Sequence, residues 1–198
     1  REKISHLMRN NGALKLFETD IGIKRTALER ALQQEYGIDW VLESGEQVHK
    51  RIPELSDTVK HAVFYPAGMN TISPYGITKT IFENFLSDGG SFENIKVESL
   101  DAENPLIVKS AEVRTFYDNV VICCGHLSGQ LLEPLGYKVP LVAERGYHVE
   151  MDHSELSFDM PVGSYERGCY LTPMLSGLRV AGTSEFVPPS KEPEPNWA

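Results

Sequence analysis

The sequence predicts an α+β fold, an antiparallel sheet with helices on one side, and three observations lead there. Apolar residues recur at helical spacing across residues 20–36 and again after Ser73-Pro74. Between and beyond these stretches lie short runs that alternate or are continuously apolar, as strands do. One of them, Val120-Val121-Ile122-Cys123-Cys124, stops at Gly125. An apolar run ended by glycine puts bare backbone at a strand's carboxyl end, where open α/β sheets receive ligands. An ordinary core strand with a turn glycine reads the same way.

In chain order, Asn10-Asn11-Gly12 is a polar turn, and Ala13 to Phe17 alternate as a strand. The helix over residues 20–36 uses Ile23, Ala27, Leu28, Ala31 and Leu32 as its apolar stripe and stops at Gly37. Residues 38–42 form a short strand. Ser44-Gly45-Glu46-Gln47 opens a brief helix that ends at Ile52-Pro53. Residues 61–66 form a strand and residues 67–72 a loop. Ser73 caps a clear helix with Pro74 at its first position and Ile77, Ile81, Phe82 and Phe85 on one face; Gly89-Gly90 ends it. Three strands follow, over residues 92–100, 106–110 and 113–124. A short helix begins near Ser128, and a strand carries Glu144-Arg145-Gly146-Tyr147. A strand pair, residues 160–173 and 178–183, is joined through Leu175-Ser176-Gly177, and the tail from Pro188 is rich in proline and charge.

At 198 residues and 41% hydrophobic content the chain can build one ample core or two small ones. A formal charge of −9 excludes nucleic acid, whose phosphates require a basic surface. The apolar runs are far short of a transmembrane segment. Three cysteines, two of them adjacent in an apolar run, build neither a disulfide framework nor a zinc site. The expected location is therefore the reducing cytoplasm. Cys123 and Cys124 read as small buried packing residues.

Strand-Cys-Cys-Gly-x-x-Ser, then Pro134-Leu-Gly-Tyr-Lys-Val-Pro-Leu141, then Glu144-Arg-Gly-Tyr-His-Val-Glu150 resembles the middle of FAD-dependent oxidoreductases of the D-amino-acid oxidase superfamily. The likeness continues through Tyr170-Leu-Thr-Pro-Met174 and Gly177-Leu-Arg-Val-Ala-Gly-Thr183, in family order, and is nearest to D-amino-acid dehydrogenase-like and glycine-oxidase-like members. It implies a substrate domain in two parts, residues 1–72 and 129–187, around a partial FAD-binding domain, residues 73–128, made of a helix and a three-stranded meander. Residues 188–198 would then be a truncated tail. Such enzymes begin with strand-GxGxxG-helix, and that glycine spacing occurs nowhere here. The superfamily's late segment, which supplies an arginine for the substrate carboxylate, would lie beyond Ala198. The chain also opens on Arg1, as a processed product or partial reading frame would. It is therefore expected to be an internal fragment of a longer enzyme, inactive alone. For the full-length protein, peripheral association with the inner membrane stays open beside the cytoplasmic location.

The implied reaction is oxidation of an amine or D-amino acid, with hydride passing from the substrate α-carbon to the flavin and the resulting imine hydrolysing to a keto acid and ammonia. The protein orients the carbon and binds the carboxylate, and no protein base is needed if the neutral amine binds. By resemblance Gly125 passes close to the flavin nucleotide, and Val97 meets the adenine. Tyr170 is the candidate catalytic-site residue on the substrate side, its hydroxyl donating to a carboxylate. Val97 also reads as an ordinary strand valine, and Tyr170 as a half-buried sheet tyrosine. Gly168 stands where glycine-oxidase-like relatives can carry histidine. Met174 stands where some carry arginine, and a thioether cannot pair a carboxylate. Arg145 reads as a structural ion-pairing residue. His148, Glu150 and Asp152 alternate with metal-ligand spacing, but a solvent-facing strand looks the same, and no metal is expected. The electron acceptor is not legible. The reading from another class is a stand-alone or truncated, non-catalytic binding or interaction module derived from the same fold.

Overall fold

The structure, a computed structural model, describes residues 2–104, 106–152, 157–188 and 191–192. The described residues divide into two compact units, one within residues 2–85 and 146–184, the other within residues 86–145 and 185–192.

The larger unit is built on a seven-stranded mixed sheet in the order β3-β4-β2-β10-β11-β12-β9. Its strands are β2 (Ala13–Phe17), β3 (Val41–Ser44), β4 (His61–Tyr65), β9 (Glu144–Met151), β10 (Val162–Ser164), β11 (Cys169–Met174) and β12 (Gly177–Phe186). The neighbours β3-β4, β4-β2, β10-β11 and β11-β12 are antiparallel, as expected, but β2 and β10 run parallel and join the two halves of the unit. A further ladder pairs β1 (Met8–Arg9) with β5 (Asn70–Thr71).

Alternation gives each strand a buried and an opposite face. Leu14, Leu16, Ala62, Val162 and Leu178 point to one side, where they meet Val48 and Ile52 together with Val59, Phe158 and Met160. Val48 and Ile52 come from α3 (Gly45–Arg51) and its cap. The expected capping box is present: the Gln47 N–H donates to Ser44 Oγ at 3.4 Å, and the Ser44 N–H donates to Gln47 Oε1 at 2.8 Å. Burying Ile52 completely stabilises the unit by about 1.5–3 kcal/mol.

Helices do not keep to one side of the sheet. The helix expected over residues 20–36 is two helices, α1 (Asp20–Arg25) and α2 (Ala27–Glu35). Thr26 breaks it, because its buried hydroxyl donates back to the Ile23 carbonyl at 3.1 Å. This pair covers the face opposite the core at the β2–β4 end: Lys15 pairs with Glu29 at 2.9 Å, and the Tyr65 hydroxyl donates to Gln33 at 3.2 Å.

The strand expected over residues 160–173 is interrupted as well. Residues 165–168 form a turn between β10 and β11, closed by Gly168 at φ +62 and by a bond from its N–H to the Ser164 carbonyl at 3.0 Å. Helix α4 (Pro74–Ser87) starts as predicted, with the Gly76 N–H donating to Ser73 Oγ at 3.0 Å, and stops at Gly89, φ +91.

The smaller unit carries the three-stranded antiparallel meander, much shortened: β6 (Ser99–Leu100), β7 (Ile107–Lys109) and β8 (Arg114–Phe116). Asp101, 8% exposed, clasps it by accepting from Lys109 at 2.7 Å and Arg114 at 2.8 Å. Helix α5 (Ser128–Leu132) follows a 3-10 turn over Gly125–Leu127.

The buried strand expected at residues 120–124 is not there. The run lies outside any sheet, Val121 is 83% exposed, and both cysteines face solvent. No described strand lies beside it to take up its ladder hydrogen bonds, so its apolar composition alone does not make a strand. The tail from Pro188, apart from residues 188, 191 and 192, lies outside the described residues.

Candidate functional site

While α1 and α2 cover the non-core face at β2–β4, the same face continues across β10, β11 and β12 to carry Gly163, Tyr170, Thr172, Arg179 and Ala181. The register lines up Lys15, Gly163, Tyr170 and Ala181 across four strands. Tyr170 is 56% exposed on this face. Its ring lies over Gly163: a Cβ there would come within 2.6 Å of Tyr170 Cε1. The absent side chain thus lets the tyrosine lie down along the sheet.

The turn that leads into β11 is fastened to the first half of the chain. Glu166 accepts from the Glu18 and Thr19 N–H groups at 3.0 and 3.1 Å and from the Thr19 hydroxyl at 2.9 Å, and Arg167 pairs with Glu18 at 2.5 Å. Thr19 is the cap of α1, so the helix start and the tyrosine strand share one polar clasp.

Beside Tyr170, Arg179 is gripped by Glu150 of β9, whose Oε1 accepts from Nε at 3.1 Å and Nη2 at 2.7 Å. Arg179, then Ser176, hold the Glu150 carboxyl below its ordinary pKa. The alternating trio His148, Glu150 and Asp152 therefore places its central acid on an arginine. Among the described residues no group of three or more His, Cys, Asp or Glu is disposed to hold a metal. Met174 is buried at the end of β11.

Gly125 and Val97 belong to the smaller unit. Gly125 opens the 3-10 turn at φ +55, a left-handed conformation that favours glycine, and nothing lies within 4 Å of where a Cβ would stand. Val97 is half-buried in the irregular stretch before β6. Arg145 pairs at 3.0 Å with Glu185, which is buried, and also donates to the Lys191 carbonyl at 2.5 Å. Gly163 and Arg179 escaped the sequence reading. An arginine between Leu178 and Val180 was a signal for the non-core face; Gly163 offered none.

The whole chain, residues 1–198, matches the family described as FAD dependent oxidoreductase. A D-amino-acid oxidase of Bradyrhizobium diazoefficiens is 24% identical over 202 residues, covering 98% of this chain and 46% of the relative. Among solved structures, glycine oxidase from Bacillus cereus superposes with a TM-score of 0.83 at 23% identity, over 96% of this chain and 53% of the oxidase. L-Proline dehydrogenase from P. horikoshii gives 0.82 at 19% identity, over 99% of this chain and 56% of the dehydrogenase. The chain thus spans about half the length of these relatives, and the mixed α/β architecture with its many-stranded sheet is theirs.

Proposed function

As the chain belongs to the family of FAD-dependent oxidoreductases, we propose that the whole protein oxidises an amine or D-amino acid by hydride transfer to FAD. The relatives' names, D-amino-acid oxidase and glycine oxidase, support an amino-acid substrate. In this reading residues 1–72 and 129–187 furnish the substrate domain and residues 73–128 part of the cofactor domain. The observation that carries it is Tyr170: an exposed tyrosine laid over a glycine on the non-core sheet face, beyond the end that α1 and α2 cover.

The residues present fit one flank of FAD. Gly125 leaves its main chain open, with no atom in the space a side chain would fill, so its backbone would pass against the nucleotide; Val97 would pack on the adenine. FAD, when bound, supplies the two-electron oxidant. The chain's own part is to hold the substrate. The Tyr170 hydroxyl donates to its carboxylate, and the ring's seat on Gly163 fixes where that hydroxyl lies.

Flavin reduction on mixing the whole protein with D-alanine and other D-amino or secondary amines, with an artificial electron acceptor, tests the reading. Absence of reduction by all of them sinks it. Tyr170→Phe is expected to weaken substrate binding by about 1–2 kcal/mol, roughly a 5–30-fold rise in KM with kcat little changed. Unchanged kinetics would return the tyrosine to a structural role.

One observation favours a second reading, a non-catalytic interaction module: within the smaller unit Val121, Val142, Tyr137 and Phe116 are all exposed. Turnover with any amine decides against it.

A further inference from the structure

We infer that Arg179, oriented by Glu150, forms a second anion-binding position beside Tyr170, and that the substrate carries a second carboxylate, as an acidic amino acid does. This rests on the amine-oxidising reading of the Tyr170 face and adds the substrate class to it.

Tyr170 opposes Ala181 and Thr172 opposes Arg179 on adjacent antiparallel strands. Tyr170 and Arg179 are therefore diagonal neighbours on one face, with Cα atoms about 7–8 Å apart. Leu171, Leu178 and Val180 take the core side, which keeps the arginine on the tyrosine's side.

The guanidinium has an occupied edge and an open one. Glu150 Oε1 takes Nε and Nη2; Nη1 has no hydrogen-bond or ion-pair partner among the described residues, and the side chain is 33% exposed. An arginine pinned along one edge has already lost its rotamer freedom, and it presents its remaining N–H groups in a fixed plane that suits a carboxylate. Because Glu150 stays ionised, the pair is close to neutral. Preference for an anion then comes from directed hydrogen bonds, not from excess positive charge. With one carboxylate at the Tyr170 hydroxyl, an acidic amino acid such as glutamate reaches the open edge with the other. A neutral side chain leaves that edge to water.

The test uses the whole protein loaded with FAD, as wild type, Arg179→Gln and Arg179→Lys. Steady-state kinetics with D-glutamate and D-glutamine are read beside calorimetric titrations with glutarate and with butyrate, which lacks the second carboxylate. Arg179→Gln should raise KM for D-glutamate by ~10–100-fold, the loss of charge-assisted hydrogen bonds, while kcat and the D-glutamine KM hold. Glutarate affinity should fall by the same factor and butyrate affinity should not change. Arg179→Lys keeps the charge without the planar fork and should fall between, which also guards against a variant that fails to fold. Equal losses on both amino acids, or a wild type that binds glutarate no better than butyrate, overturn the inference. A wild type that oxidises neither amino acid yet binds glutarate through Arg179 keeps the anion site and removes the acidic-amine reaction; amine oxidation with no selective effect of Arg179→Gln does the reverse.

Discussion

Asp101 accepts from Lys109, from Arg114 and from the N–H groups of Glu103 and Asn104 at 3.0 and 3.2 Å, so one carboxylate closes the turn between β6 and β7 and ties the meander's strands together. The Lys109 hydrogen bond, then the Asn104 and Glu103 amides, lower its pKa from 3.8 to about 2. Because the folded value is depressed, the group contributes stability above its ordinary pKa and loses it as the pH falls toward about 2. Asp101→Asn should therefore lower the urea midpoint at pH 7, and the gap from wild type should close between about pH 4 and about pH 2. A gap independent of pH would contradict the ionic clasp. At this scale the sequence was legible only in part. Tyr170 stood out as a candidate from its motif, but its neighbours on the sheet did not: Gly163 and Arg179 reach it through a register set by the turns at Gly168 and Ser176-Gly177, and local composition carries no record of that register.

Helix starts were the most readable elements, because their signals are local. Ser44 with Gln47, and Ser73 before Pro74, cap the helices they were expected to cap. Misreadings arose where an element depends on what lies beside it. The apolar run at residues 120–124 has no described strand next to it and stays out of the described sheets, and Thr26 interrupts a helical stripe that hydrophobic spacing alone would continue. The contribution of α3 can be measured directly. Ile52, the fully buried residue at its end, seats the helix on the sheet. Ile52→Ala is expected to cost about 2–5 kcal/mol of unfolding free energy by urea denaturation, since the well-packed neighbours relax only partly. A cost below about 1 kcal/mol would mean that the site refills.

For the molecule as a whole, the mixed α/β class and the family were legible from motifs in order, while the mixed character of the sheet was not, because one parallel pair arises from distant residues. No helix among the described residues is long and apolar enough to cross a membrane. If FAD passes Gly125 in the whole protein, Cys123 and Cys124 lie next to it in sequence and should react with a thiol reagent several-fold more slowly after FAD is added to the apoprotein. Equal rates would argue against that placement. The β2–β10 pairing carries a cost in time. It joins Leu14 to Val162, and residues 86–145, assigned to another unit, lie between them along the chain. During synthesis the N-terminal strands therefore leave the ribosome long before the strand that completes their sheet exists. Leu14, Leu16 and α3 lack the cover of Phe158, Met160, Val162 and Leu178 in that interval, so this protein should fold slowly after release and depend on chaperones that shield the waiting half.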